Sequence, residues 1–471
     1  LDNRDYDASS AEEKRALGRG VGPIAIAGAD IADHPFLDGA LEAAFDAVST
    51  LQDRGNASNN GRAGARHQRP RNKRMKLLFS SLPAHDHLLE MLPVAAAAKR
   101  EGHEVAFAVT TRFAEVVRGA GFEHFAAGED WVRAAIDDLE GDVLPEEMEE
   151  FTQRFMADMF CGPAALAMAK QVNTIIDRWQ PDVVLRDTGE MGGLLAAERA
   201  KLPHVTVGVL DFNGMFLGKG VVAALDERRR DYGLEPDPEG LRQYAYGHIN
   251  MLCPDFAPEE LELPNVYSVR VDGVLPGDTL PEWMGNLADA DKPLVYASFG
   301  TAASTIPGFG PALRNVINGL GAVDANAIVS VGKGLDWNGE PILDEAAVPK
   351  NVKVVDWVPQ ALLLRSVDVL LTHAGPATAR QGIVNGLPMV AVPLLFDAFE
   401  ISNRLCKHGL AQQIDWTKLT AEQVTESVKE VLTNPSYRRQ ARKLQRKALT
   451  VPPIDNASVR FIERIVNGVN Q

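Results

Sequence analysis

Cysteine is scarce. The chain has three in 471 residues, Cys161, Cys253 and Cys406, far apart and without metal-ligand spacing. A disulfide framework and a cysteine-ligated zinc site are both excluded, and the thiols read as reduced and buried. Long apolar runs are missing too. No uninterrupted stretch is long enough to span a bilayer, and residues 1–19 are too charged for a secretory signal, so a cytoplasmic protein is expected. Positive charge is also short, with 48 Lys and Arg against 64 Asp and Glu leaving a formal net charge of -16. Non-specific binding to nucleic acid runs on Lys and Arg neutralising phosphates, so no nucleic-acid partner is expected. Glycine is absent where a dinucleotide site needs it, because the turn after the first strand is Ser81-Leu82-Pro83-Ala84-His85-Asp86-His87. A GxGxxG turn lets the backbone close on a pyrophosphate; without one, NAD or FAD in the usual position is not expected and the turn is open to a catalytic group.

What is present is apolar material in quantity. At 45% hydrophobic composition the chain can bury large cores, and its length favours two or three domains. The first 74 residues differ from the rest. Residues 38–51 could form a short helix, but 54–74 are polar, basic and almost free of apolar side chains. Such a segment cannot bury enough surface to offset its ordering entropy. Met75 therefore reads as the natural start and 1–74 as an extension; the alternative is a basic arm for an acidic partner.

From Met75 strands and helices alternate. Strands are expected at 76–82, 104–109, 183–186 and 204–209, with helices at 88–101, 112–119, 145–179 and 191–200. Residues 213–250 read as a variable helical insertion, and 271–292, rich in Gly, Pro and acidic residues, as a linker. A second series places strands at 294–299, 327–331, 352–355, 369–372 and 389–392, interleaved with helices at 311–319, 361–366, 377–385 and 401–408. Basic helices at 421–432 and 436–449 and a last helix at about 456–466 close the chain. Alternation of this kind implies right-handed crossovers, parallel sheets and helices on both faces. The fold class is α/β, two Rossmann-like domains facing across a cleft: a first domain at 75–270, the linker at 271–292 and a second domain at 293–452. The helix of 453–471 is expected to cross back to the first domain.

The loops at the carboxyl ends of such strands converge on one ligand. In the first domain they offer His85 and His87, either of which could serve as a general base or simply cap the helix. Asp187 ends the strand Val183-Val184-Leu185-Arg186 and could orient an imidazole, or cap the helix near Glu190. In the second domain Ser298-Phe299-Gly300-Thr301 ends one strand, and His373-Ala374-Gly375-Pro376-Ala377-Thr378 precedes a helix whose unpaired N–H groups suit an anion. Trp357 could stack on a nucleobase or pack in the core. Asp397 could accept hydrogen bonds from sugar hydroxyls or cap a helix.

These segments, DWVPQ…THAGPAT…GLPMVAVPL…D and LLFSSLPAHDHLLEMLPVAAAAKREGHEVAFA, resemble the family-1 glycosyltransferases of the GT-B fold, most closely the bacterial antibiotic and macrolide enzymes. The resemblance spans essentially all of the chain from Met75. It implies inverting transfer of a sugar from a nucleoside diphosphate, without metal, cofactor or covalent intermediate. By resemblance, His87 deprotonates the acceptor, although Asp86 stands for the usual Gly and Glu90 for a common Pro, so His85 stays a substitute. Asp187 is its partner. Trp357 and Val358 would contact the base and Gln360 the ribose; His373, Gly375 and Thr378, helped by Ser298 and Thr301, would hold the diphosphate; Asp397 would bind the sugar. Three positions depart from the pattern: Ala374 for the first Gly of HGG, Gln381 for a ribose-binding Glu, and Ala398 for the Gln after Asp397. Without that Gln's donor and acceptor a donor poor in hydroxyls loses least, so a deoxysugar is expected, on dTDP or UDP. The expected partners are this donor and an apolar acceptor such as a polyketide aglycone, with no membrane span and a homodimer left open. Two alternatives remain: a GT-B epimerase or retaining enzyme, and a non-catalytic homologue or auxiliary subunit of a transferase pair.

Overall fold

The protein was described from a computed structural model, which covers residues 74–130, 156–208, 216–253, 255–256, 263, 265–274, 278–287, 291–300, 303, 309–332, 345–394 and 397–469. The chain divides into two compact units, 1–73 and 74–471. The expected helix at 38–51 and the basic stretch up to residue 73 lie outside the described residues.

The second unit contains two sheets. The first comprises β1 (Lys76–Ser80), β2 (Glu104–Val109), β3 (Glu123–Ala126), β4 (Val183–Asp187), β5 (His204–Val207), β6 (Gly247–Asn250) and β7 (Val266–Ser268). Their order is β3-β2-β1-β4-β5-β6-β7, and every pairing is parallel. The second comprises β8 (Leu294–Ser298), β9 (Asn326–Ser330), β10 (Val352–Val355), β11 (Val369–Thr372), β12 (Met389–Ala391) and β13 (Ala411–Gln413), in the order β10-β9-β8-β11-β12-β13, again all parallel. Both sheets reverse their winding beside their first strand, between β1 and β4 and between β8 and β11. In open α/β sheets the crevice at such a switch point is where ligands bind.

The central strands are buried on both faces, which is why they read as continuous apolar runs rather than alternating ones. Leu77, Phe79, Val183 and Leu185 face one core, while Leu78 and Val184 face another. The helices that cover the sheets are α1 (His85–Arg100), α2 (Ala114–Gly119), α3 (Pro163–Trp179), α4 (Met191–Arg199), α5 (Lys219–Asp231), α6 (Phe309–Gly321), α7 (Pro376–Asn385), α8 (Asp397–Lys407), α9 (Ala421–Thr433), α10 (Pro435–Ala448) and α11 (Asn456–Val469). From α11, Val459, Phe461, Ile462 and Val466 are buried in the core of the first sheet. His103 Nε2 lies 3.1 Å from Glu463 Oε1 of the same helix.

Three sequence expectations need correction. The helix expected over 145–179 breaks at Gly162, and its portion at 145–155 lies outside the described residues. Pro163 supplies no N–H and disfavours a helical residue before it, and a Cβ at Gly162 would lie 2.2 Å from the carbonyl oxygen of Asp158. The insertion at 213–250 is helical only in part, since it ends in β6, which pairs with β5. Gly247 there makes room for α11, because a Cβ would meet Ile465 at 2.3 Å. Finally, β3, β7 and β13 extend the sheets beyond the expected strands. Within 271–292, Leu280, Trp283, Met284 and Leu287 pack partly buried against the core of the second sheet, around a 3-10 helix at Glu282–Asn286.

Candidate active site

At the switch point of the first sheet, Ser80 of β1 lies beside Arg186 of β4. The residues that follow these two strand ends therefore meet. His87 sits in the first turn of α1 and Asp187 ends β4, with His87 Nδ1 2.6 Å from Asp187 Oδ2. Asp187 is fully buried, and His87 nearly so. The other carboxylate oxygen accepts the Gly189 N–H at 3.0 Å, and the Leu82 N–H approaches Oδ2 at 3.4 Å. A carboxylate is acceptor-only, so Nδ1 carries the proton and the basic lone pair of the ring is on Nε2. The side chains of His85 and Asp86 lie outside the described residues.

The capping alternatives resolve against both histidine and Asp187. The N-cap of α1 is Ala84, without a side-chain cap. The cap of α4 is Glu190, whose carboxylate accepts the N–H groups of Gly192 and Gly193, each at 2.7 Å. Ser80 Oγ also bonds Glu190 Oε2. Gly193 permits this approach, since a Cβ would stand 2.6 Å from Ser80 Oγ. Burial pushes the Glu190 carboxyl above the usual range. Behind the pair lies Arg186, fully buried, which donates to the carbonyls of Asp187 at 3.1 Å, Thr188 at 2.9 Å and Gln243 at 2.9 Å. Burial lowers its pKa, yet a guanidinium stays protonated.

Next to the loops that carry this pair is a small cleft, lined by Leu82, Pro83, Met159, Phe160, Met168 and Met191 with Thr110 and Glu190 at its polar points. Flexible thioethers and an aromatic ring make an adaptable apolar wall.

The second sheet repeats the plan. Ser298 ends β8 beside Thr372 of β11, and the turn His373-Ala374-Gly375 leads into α7. The His373 ring is wedged between two glycines: a Cβ at Gly375 would lie 2.3 Å from its Nε2, and one at Gly300 2.9 Å from its Cε1. Gly300 has φ 75, where an L side chain is strained. Ala374 adopts φ 62 although it carries a Cβ. That conformation costs about 1–2 kcal/mol, offset in part by a methyl fully buried in the apolar core and an N–H bonded to Thr372 Oγ1 at 3.1 Å. Helix α7 starts at Pro376 without a side-chain cap on its N–H groups. Thr378 is buried, and its hydroxyl accepts from Gln360 Nε2 at 3.3 Å. Val358 is buried, whereas Trp357 is 71% exposed, so its indole is a surface platform and not a core residue. Asp397 is half-buried as the first residue of α8, and Ala398 beside it is buried. Thr301 lies outside the described residues.

Two features, the second of which joins the halves, escaped sequence reasoning. Gln360 donates to Gln381 Oε1 at 2.8 Å, and Gln381 packs against Gly273, where a Cβ would meet its Nε2 at 2.5 Å. Arg380 of α7 forms an ion pair with Glu90 of α1. Glu90 drew notice only as a substitution for Pro; nothing in a linear pattern pairs residues 290 positions apart.

Residues 250–467 match the family model for UDP-glucoronosyl and UDP-glucosyl transferase. The chain is 25% identical over 419 residues to tylactone mycaminosyltransferase of Streptomyces fradiae, covering 80% of this chain and 90% of that protein. It is 22% identical over 383 residues to the NDP-glycosyltransferase YjiC of Bacillus subtilis (strain 168), covering 79% and 93%. Among solved structures, spinosyn forosaminyltransferase SpnP superposes with a TM-score of 0.67 at 22% identity, over 84% of this chain and all 100% of that one. Glycosyltransferase VinC in complex with dTDP gives 0.63 at 21%, over 84% and 100%. The fold is that of the GT-B class, and similarity to named glycosyltransferases over about 80% of the chain makes the protein a glycosyltransferase. No described helix is long and apolar enough to cross a membrane.

Proposed function

We propose that this enzyme transfers a sugar from an NDP-sugar to a hydroxyl of an apolar natural-product aglycone, such as a polyketide, with inversion at the anomeric carbon. The observation that carries the proposal is the buried His87–Asp187 pair at the switch point, beside an apolar cleft. The acceptor lies in the cleft with its hydroxyl at His87 Nε2. As the acceptor oxygen attacks the anomeric carbon from the face opposite the leaving diphosphate, its proton passes to Nε2. Asp187 stabilises the imidazolium without taking the proton. The departing diphosphate gathers negative charge, which His373, Gly375, Thr378 and the N-terminal N–H groups of α7 receive, with Ser298 and Thr301 assisting. Trp357 and Val358 hold the base, Gln360 the ribose and Asp397 the sugar hydroxyls. No metal or cofactor enters these steps.

The donor is a deoxysugar on dTDP or UDP. Ala398 presents a buried methyl where a Gln amide would meet hydroxyls, so a sugar lacking those hydroxyls loses no hydrogen bond there. The VinC complex contains dTDP, and one relative is named aclacinomycin-T 2-deoxy-L-fucose transferase. A thermal-shift screen across UDP-, dTDP- and GDP-sugars tests the donor, followed by acceptor-dependent release of nucleoside diphosphate. A ligand at 100 times its Kd stabilises by about 2.7 kcal/mol. A dTDP- or UDP-deoxysugar should stand out; stabilisation by none, or release that ignores the acceptor, overturns the proposal.

A further inference from the structure

The catalytic reading uses α1 for the base and α7 for the departing diphosphate, but it supplies nothing that keeps the two helices in register. Glu90 and Arg380 do so. Glu90 follows His87 by three residues on α1, hence on the same helical face. Arg380 follows Thr378 by two residues on α7. Their side chains meet in an ion pair with only 11% and 4% exposed. The next residue of α7, Gln381, is tied to the Gln360 turn and seated on Gly273 in the segment between the two sheets. Helix α7 is thus anchored on the donor turn, on the connecting segment and, through Arg380, on the helix of the base.

We propose that Glu90 and Arg380 are a positioning pair: they set the distance between the acceptor oxygen at His87 and the anomeric carbon of the donor held at α7. The inference rests on the assignment of His87 and α7 above. Neither residue touches the reacting atoms. A guanidinium bound to a carboxylate in a largely dry site has a narrow range of geometries, which suits it to fixing two helices. Misplacing a reacting group by about 1 Å costs on the order of 100-fold in rate. Loss of the pair therefore lowers the rate of the bound complex and leaves the donor's own contacts in place.

The test compares Glu90→Gln, Arg380→Gln and the charge-swapped double variant Glu90→Arg/Arg380→Glu with the unmodified enzyme. It reads kcat, donor KM, donor Kd by calorimetry and the melting temperature. Each single variant should lose about 10- to 100-fold in kcat with donor Kd within about threefold. The swapped pair should regain at least about tenfold of that loss. A structural role alone would lower the melting temperature and leave kcat of the folded fraction unchanged, and that result overturns the proposal. So does a fall in donor affinity that accounts for the whole rate loss, or a swap that regains nothing. Should Glu90→Gln not fold, Glu90→Asp keeps the charge, shortens the arm and is held to the same kcat and Kd criteria. His87→Ala is measured alongside: normal turnover there refutes the underlying site, whereas its collapse beside a normal Glu90→Gln refutes only the positioning role.

Discussion

Replacing Asp187 with Asn changes one atom's chemistry in a site that holds its geometry rigidly. Oδ1 accepts the Gly189 N–H at 3.0 Å, so the amide oxygen of Asn stays on that side. The amide nitrogen then replaces Oδ2 and turns donors toward His87 Nδ1, formerly 2.6 Å from an acceptor. Nδ1 must become the acceptor, the ring proton moves to Nε2, and the base is lost as a base. Wrong-tautomer substitution in a comparable triad costs about 10⁴ in kcat, or about 5.4 kcal/mol at about 1.36 kcal/mol per decade. The imidazole stays in place, so donor Kd should remain within about threefold, and the melting temperature should fall only modestly because one buried hydrogen bond is worth about 1 kcal/mol. Steady-state kcat at saturating donor, beside calorimetric donor binding, reads both quantities. A kcat within tenfold of the unmodified enzyme refutes the tautomer argument.

Trp357→Ala removes a side chain that is 71% exposed. Stability should stay within about 0.5 kcal/mol, while donor binding weakens by about 1–3 kcal/mol from lost base stacking; loss of melting temperature without loss of affinity would return the indole to a packing role. Gly375→Ala drives a Cβ to 2.3 Å from His373 Nε2, an overpacking that costs about 1–3 kcal/mol and should show as donor Kd rising at least about fivefold; an unchanged Kd removes the His373 wedge from the donor site. Burial holds His204 and His248 down to about 3 from the ordinary 6.5. They are neutral in the fold while the unfolded chain binds protons below 6.5, so stability is full above that pH and is lost as pH falls toward 3, at about 1.4 kcal/mol per unit for each histidine. Denaturant titrations between about pH 6 and 4 should give a shallower decline for His204→Phe than for the parent, and equal slopes would contradict the assignment.

The alternating fold was legible because its central strands are apolar on both faces and its helices carry their own stops. Strands β3, β6 and β13 were not. Glu123-His124-Phe125-Ala126 and Ala411-Gln412-Gln413 are short and half polar, and Gly247-His248-Ile249-Asn250 gives up a side chain to the C-terminal helix crossing over it. The chemistry of single residues could be read, but their choice between two ordinary roles could not. Asp187 and Trp357 each had a capping or packing alternative, and only the third dimension decides it: Glu190 occupies the cap of α4, and the indole of Trp357 is on the surface. The Glu90–Arg380 pair had no linear signal, since an ion pair between two domains depends on how helices are set and not on spacing.

The central claim is that His87 takes the acceptor's proton in a sugar transfer whose donor is bound elsewhere. His87→Ala, measured for donor Kd by calorimetry and for turnover with saturating NDP-sugar and aglycone, meets it most directly. The expected result is a donor Kd within about twofold and turnover lowered by at least about 10³-fold, the range a positioned base supplies. Turnover within tenfold of the parent at unchanged donor affinity would contradict it.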